Sequence, residues 1–238
     1  NSKLLISCLE KLSKQTNWRV RKLICSIIPK LVSTITTVDA RNLVSNIIIS
    51  LIQDPVFDVR KSAARSLCLS ANNVSNLHLI DDMGRGWLDC VVLPQLETLR
   101  TSRIYSNRIL SLHMIITLLY EKIVLYNDVR YNILVNIALT LSHDPIPNVR
   151  IALGEILGVL VQLLQSNKEE NITTNSIQQQ QQQQIWDITL NALELLSNDR
   201  DNDVKYYANK AKENLKTNQK SEINSKVSLF NQNHFKSG

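Results

Sequence analysis

The chain has 238 residues, of which 44% are apolar, with 5 glycines, 5 prolines and a formal charge of +6 from 27 basic and 21 acidic side chains. Hairpin turns, barrel corners and phosphate-cradling loops need glycine for positive φ or close backbone approach, so this scarcity argues against an all-β fold, a dinucleotide fold and a P-loop enzyme. The apolar fraction is enough for a core, and low aromatic content with abundant Leu, Ile and Val points to an all-α protein.

The predicted elements run as paired helices around a recurring turn. A first helix over 2–13 leads into Gln15 to Arg21, which ends Trp18-Arg19-Val20-Arg21. Apolar residues at helical spacing follow, as Val20, Leu23, Ile24, Ile27 and Leu31. A helix over 39–52 precedes the turn Asp54-Pro55-Val56-Phe57-Asp58-Val59-Arg60, and Val59, Ala63, Leu67 and Ala71 continue the pattern. The polar stretch 72–86 reads as a long connection. A helix over 87–99, the turn Ser102 to Arg108 and a helix through Ile109, Leu112, Ile116, Leu119 and Ile123 form the third pair.

The fourth pair has a helix over 128–141, the turn Asp144-Pro145-Ile146-Pro147-Asn148-Val149-Arg150 and a helix through Leu153, Ile156, Leu160 and Leu164. A Gln-rich insertion at about 167–184, with seven consecutive glutamines, is expected on a disordered loop. The fifth pair has a helix over 185–196, the turn Asp199-Arg200-Asp201-Asn202-Asp203-Val204-Lys205 and a helix through Ala208, Ala211 and Leu215. Residues 217–238 read as a flexible polar tail. In each Asp-Pro turn the carboxylate is expected to cap the helix and the Pro to take its first position. Pro29 and Pro94 are expected to kink or interrupt their helices.

The basic residue ending each turn recurs at 21, 60, 108, 150 and 205, intervals of 39, 48, 42 and 55 residues, and the Gln-rich insertion accounts for the longest. A period near 40 with two helices per unit fits an α-solenoid of about five hairpins over 1–216, of the HEAT or armadillo class. A first helix that begins at once, on Asn rather than Met, suggests the C-terminal part of a longer array.

Two columns carry the interest. Arg21, Arg60, Arg108, Arg150 and Lys205 close the turns, with Asp54, Asp144 and Asp199 at their opposite side, and are read as a hydrogen-bonded ladder fixing repeat stacking. Three residues earlier stand Trp18, Phe57, Tyr105, Pro147 and Asn202, with Arg19, Arg103 and Arg200 nearby. Aromatic and Arg side chains at turn tips suit a contact ridge, unless each aromatic folds back on its own hairpin as a staple.

No catalytic constellation emerges. His78, His113, His143 and His234 are scattered, and Cys8, Cys25, Cys68 and Cys90 lack metal or redox spacing and read mainly as reduced core residues. His113 is expected to be a hydrogen-bonded core residue. The reading is non-enzymatic, with no cofactor or metal and no membrane partner, in the cytoplasm or nucleus.

The turn Asp144 to Arg150, preceded by Leu141-Ser142-His143, resembles HEAT repeats of the scaffold subunit of type 2A protein phosphatases. The segment Asn198 to Ala208 is similar to the last repeat of type 4 protein phosphatase regulatory subunits. The resemblance implies a regulatory or scaffolding subunit that holds a Ser/Thr phosphatase catalytic subunit and directs it toward substrates. In the related scaffold, turns of C-terminal repeats form the contact ridge. The other readings are a HEAT adaptor of the nuclear-transport type, or a nucleic-acid-associated solenoid motivated by the charge.

Overall fold

A computed structural model describes residues 2–35, 37–75, 86–125, 128–170 and 176–216; the polar tail lies outside them. Among the described residues the protein is all-α. Its chain divides into two compact units, Asn1–Leu141 and Ser142–Gly238.

The first unit holds α1 (Ser2–Ser13), α2 (Trp18–Val32), α3 (Val38–Ile52), α4 (Phe57–Ser75), α5 (Leu93–Arg100), α6 (Tyr105–Tyr120) and α7 (Val129–Leu139). Its even-numbered helices form one layer, with α2 packed along α4 and α4 along α6, while α1 packs on α3. The apolar spacing explains this layer. Ile24, Ile28 and Val32 of α2 are buried one turn apart, as are Val59, Ala63 and Leu67 of α4. Each fully buried branched side chain stabilises by about 1.5–3 kcal/mol relative to exposure. The unit's inner helix is α6, whose residues from Leu110 to Leu119 are all buried. Its polar members turn inward on its own backbone: Ser111 Oγ donates to the Arg108 carbonyl (2.7 Å) and Thr117 Oγ1 to that of His113 (2.8 Å). His113 itself is 6% exposed.

The second unit pairs α8 (Pro147–Glu170) with α10 (Asn202–Lys216), and α9 (Ser176–Ser197) packs on both. Close approach of α8 and α10 rests on small residues. A Cβ on Gly158 would lie 2.9 Å from the Ala211 Cβ, whereas one on Gly154 would meet Ala208 at an ordinary 3.7 Å. Gly158 therefore serves close helix contact rather than a turn, whereas Gly154 leaves room for a methyl group.

Several boundaries differ from the sequence reading for identifiable reasons. The helices start three residues after Asp54, Asp144 and Asp199, not at them, so the carboxylates cap the turns and Pro147, not Pro145, takes a first helical position. The glutamine run is helical: α8 continues to Glu170 and α9 begins at Ser176, leaving 171–175 outside the described residues. Glutamine is a good helix former, and the apolar face from Ile185 to Leu196 anchors the helix it extends. Similarly, α4 runs to Ser75, four residues into the expected connection, whose remainder at 76–85 is not described.

Pro94 does interrupt its helix. Leu88–Val92 form a π turn closed by the Leu93 N–H on the Leu88 carbonyl, and α5 follows with Pro94 in its first turn. Pro29 instead sits buried inside α2, which continues to Val32. Cys25 and Cys68 are buried, but Cys8 is exposed and Cys90 half-buried, so the core reading does not extend to all four. Among the described residues one helix segment, Pro147–Leu164 in α8, is long and apolar enough to cross a membrane; 67% of it is buried inside the protein, which accounts for its hydropathy.

Candidate functional site

The turns before α4, α6, α8 and α10 open on the same side-chain bond. Asp54 Oδ1 accepts the Val56 N–H (2.8 Å), Asp144 Oδ1 that of Ile146 (2.9 Å) and Asp199 Oδ1 that of Asp201 (2.8 Å). Ser102 Oγ does so with Ile104 (3.2 Å). These Asx-type and Ser-type turns reverse the chain without glycine. The Arg six residues after Asp54, Ser102 and Asp144 then reaches back over the turn. Arg60 Nη1 donates to the carbonyls of Asp54 (2.8 Å) and Pro55 (3.0 Å), and Arg108 Nη1 to those of Ser102 (2.8 Å) and Arg103 (3.2 Å). Arg21 does the same with Gln15 (2.7 Å) and Thr16 (3.0 Å), and Arg150 with Asp144 (2.5 Å).

Arg21 and Arg150 also grip the next turn. In the first unit, Arg21 Nε and Nη2 donate to Asp54 Oδ2 (2.6 Å) and Oδ1 (2.9 Å). In the second, Arg150 Nε and Nη2 donate to Asp199 Oδ2 (2.7 Å) and Oδ1 (2.9 Å). The side chains are 12% and 5% exposed in the first rung, 5% and 11% in the second. This is the bidentate fork that guanidinium and carboxylate geometry favour. Burial pushes the Asp54 carboxyl up, but the Arg21 hydrogen bonds and the Val56 N–H outweigh it and hold it below its usual value. The Arg150 hydrogen bonds hold Asp199 down in the same way.

The pattern breaks at Arg60 and at Lys205. The turn after Arg60 carries Ser102 where those after Arg21 and Arg150 carry Asp, and among the described residues the buried Arg60 Nε has no hydrogen-bond partner. Its guanidinium lies over the Phe57 ring instead, 5.0 Å from the centroid. Lys205 makes no side-chain hydrogen bond or ion pair among the described residues, so it is not a rung; an ammonium lacks the planar fork.

Trp18, Phe57, Tyr105, Pro147 and Asn202 are the first residues of α2, α4, α6, α8 and α10. Within the first unit, Trp18 is half-buried, with the Arg19 guanidinium 4.8 Å from its ring centroid and the Lys22 ammonium at 5.7 Å. Phe57 is half-buried under Arg60, and Tyr105 is 45% exposed. Arg103, beside Tyr105, is exposed. In the second unit Pro147 is half-buried and Arg200 is exposed. A cation over a ring is attracted by its negative face, so these pairs present a preformed aromatic and cationic surface.

A second feature was missed by the sequence reading. Between α2 and α4 lies a groove of about 480 Å³ lined by Arg19, Lys22, Leu23, Cys25, Ser26 and Pro29 from one helix. Ser62, Arg65, Ser66 and Leu69 line it from the other. The signal was available as spacing: both sets recur every three or four residues and so share one helix face.

Among the described residues no group of three or more His, Cys, Asp or Glu is placed to hold a metal ion. Burial raises the Cys25 thiol to about 12 and that of Cys68 higher still, so neither is an activated nucleophile.

No protein-family profile matches the chain. No curated protein matches it either. Similar solved structures include crystal structures of engineered proteins. One is 15% identical, covering 89% of this chain and 98% of the other, with a TM-score of 0.37. Two more are 16% identical over 89% of this chain, covering 96% and 58% of theirs, with TM-scores of 0.38 and 0.35. Likeness at that level assigns neither a fold family nor a function.

Proposed function

We propose that the chain is a HEAT-repeat α-solenoid that serves as a regulatory or scaffolding subunit of a Ser/Thr protein phosphatase of the type 4 or type 2A kind. The observation carrying this reading is the recurrence, before α2, α4, α6 and α8, of a turn closed by an Arg on its backbone carbonyls, with an aromatic residue at the first helical position in three successive copies, Trp18, Phe57 and Tyr105. The turn Asp144 to Arg150 resembles HEAT repeats of the type 2A scaffold subunit, and Asn198 to Ala208 is similar to the last repeat of type 4 regulatory subunits. A binding ridge needs large, low-entropy side chains held by a rigid frame, and Arg-closed turns are such a frame.

In this reading the ridge of Trp18, Arg19, Phe57, Arg103 and Tyr105, with Pro147 and Arg200 of the second unit as further candidates, contacts the catalytic subunit. The chain's contribution is positional: it presents or excludes substrates and supplies no group to the chemistry. The reading places the protein in the cytoplasm or nucleus.

The test is pull-down of purified type 4 and type 2A catalytic subunits with the whole chain. Retention of a catalytic subunit, lost in a Trp18→Ala/Phe57→Ala/Tyr105→Ala variant of unchanged helicity, is the expected result. Equal retention by that variant rejects the ridge. Recovery from cell extract of transport cargo or nucleic acid, with no catalytic subunit, rejects the phosphatase reading.

A further inference from the structure

The groove between α2 and α4 combines a covered floor with a cationic rim. Cys25, Pro29 and Ser66 are buried, while Leu23 is 58% exposed at its edge. The Ser66 hydroxyl is 2% exposed by residue and has no hydrogen-bond partner among the described residues.

The rim carries three cations. Arg19 stacks on Trp18 and has no carboxylate partner among the described residues. Lys22 pairs with Asp58 at 3.0 Å, both side chains more than 40% exposed, and Arg65 pairs with Glu121 at 2.6 Å, 47% and 30% exposed. Exposed pairs of this kind are weak and exchange readily with an incoming carboxylate. Lys61 adds a fourth positive charge nearby. Burial lowers its amine to about 8; Asp58 opposes this, while Lys22 and Arg65 push it further down. Cationic groups are thus crowded, and the rim sets Arg19, Lys22 and Arg65 against the carboxylates of Asp58 and Glu121.

We propose that this groove binds a short acidic peptide segment of a protein partner, with Asp or Glu side chains on Arg19, Lys22 and Arg65 and an apolar side chain between Leu23 and Leu69. Charge complementarity selects the acidic character. Shape selects the peptide: lining positions from Arg19 to Pro29 span ten residues of helix, about 15 Å, which matches about four or five extended residues. The inference is independent of the phosphatase reading. Because Arg19 belongs to both surfaces and Lys22 also lies over the Trp18 ring, Arg19 is left intact and Leu69→Trp, on α4, separates the groove from the ridge.

The experiment is fluorescence anisotropy of the whole chain with a fluorescein-labelled Asp-Glu-Leu-Asp-Glu-Leu peptide at low and at physiological salt. Saturable binding that weakens with salt is expected, with affinity reduced about tenfold by Lys22→Glu/Arg65→Glu. Leu69→Trp, which fills the groove without changing charge, is expected to abolish the signal. If the charge-reversed variant loses helicity, Lys22→Gln/Arg65→Gln replaces it and is expected to bind several-fold more weakly. No saturable binding, unchanged affinity in a folded charge variant and in Leu69→Trp, or equal affinity for a Lys-Lys-Leu-Lys-Lys-Leu peptide overturns the proposal. Displacement of the acidic peptide by oligo-dT at lower concentration than by unlabelled peptide also overturns it, assigning the groove to nucleic acid.

Discussion

Asp54→Ala removes three interactions at once: the two arms of the Arg21 fork, at 2.6 and 2.9 Å, and the Val56 N–H bond that shapes the turn, at 2.8 Å. Breaking one partner of a buried ion pair costs about 3–5 kcal/mol, because the other charge is left uncompensated. Two features of this rung reduce that figure. Arg21 keeps its bonds to the Gln15 and Thr16 carbonyls, and the pair lies at helix ends, covered by its own turns rather than deep in the core. The expected loss is about 2–3 kcal/mol, of which the turn bond contributes about 1 kcal/mol. Urea unfolding is the assay, read in a Trp87→Phe/Trp186→Phe background so that Trp18, beside the rung, is the sole reporter. Asp54→Asn keeps an acceptor for Val56 and loses only the charge, so it falls between Ala and wild type. Glu10→Gln, at an exposed pair with Lys14 (side chains 56% and 71% exposed), is the control expected to change nothing measurable. A loss below about 1 kcal/mol for Asp54→Ala would mean that the rung behaves as a surface pair and would refute the reasoning.

The other predictions follow from the same geometry. Ser102→Asp supplies the carboxylate that the turn after Arg60 lacks; it should stabilise by about 1–2 kcal/mol through the unmatched Arg60 Nε, and the gain should vanish in an Arg60→Met background. Gly154→Ala should stabilise by up to about 1 kcal/mol through helix propensity. At Gly158 the 2.9 Å approach to Ala211 opposes the same gain, leaving a net loss of about 1–2 kcal/mol by thermal melting. Acid titration should show where the rungs act. Asp54 and Asp199 sit below their ordinary 3.8 when folded, so their contribution is complete above the unfolded value and declines as pH falls through about 4 and below. Asp54→Ala should flatten that decline in urea midpoints measured between pH 5 and 2, and an unchanged slope would contradict the assignment.

How far the sequence carried this depended on whether a feature was local or relational. Apolar spacing placed the first helix at 2–13, which is α1 (Ser2–Ser13), because an amphipathic stripe is a property of neighbouring residues. The recurring Asp and Arg column was legible for the same reason, six residues being within reach of one turn. Which columns join across turns was not. Arg21 and Arg150 find carboxylates 33 and 49 residues away, but Arg60 does not, and only the identity of the residue at Ser102 decides it. Lys205 shares the column yet lacks the fork, a difference of side-chain shape that charge alone conceals. The glutamine run was misjudged because composition describes solvation, whereas its helix is set by the anchor that follows it, where Ile185, Thr189, Ala192, Leu193 and Leu196 are buried. Glycine scarcity correctly pointed away from β turns, but it could not say that Gly158 lets two helices approach. The α2–α4 groove fell in the same gap. Arg19, Lys22 and Ser26 on one helix and Ser62, Arg65 and Ser66 on another look like ordinary polar faces separately, and they become a site only when packing sets them against each other.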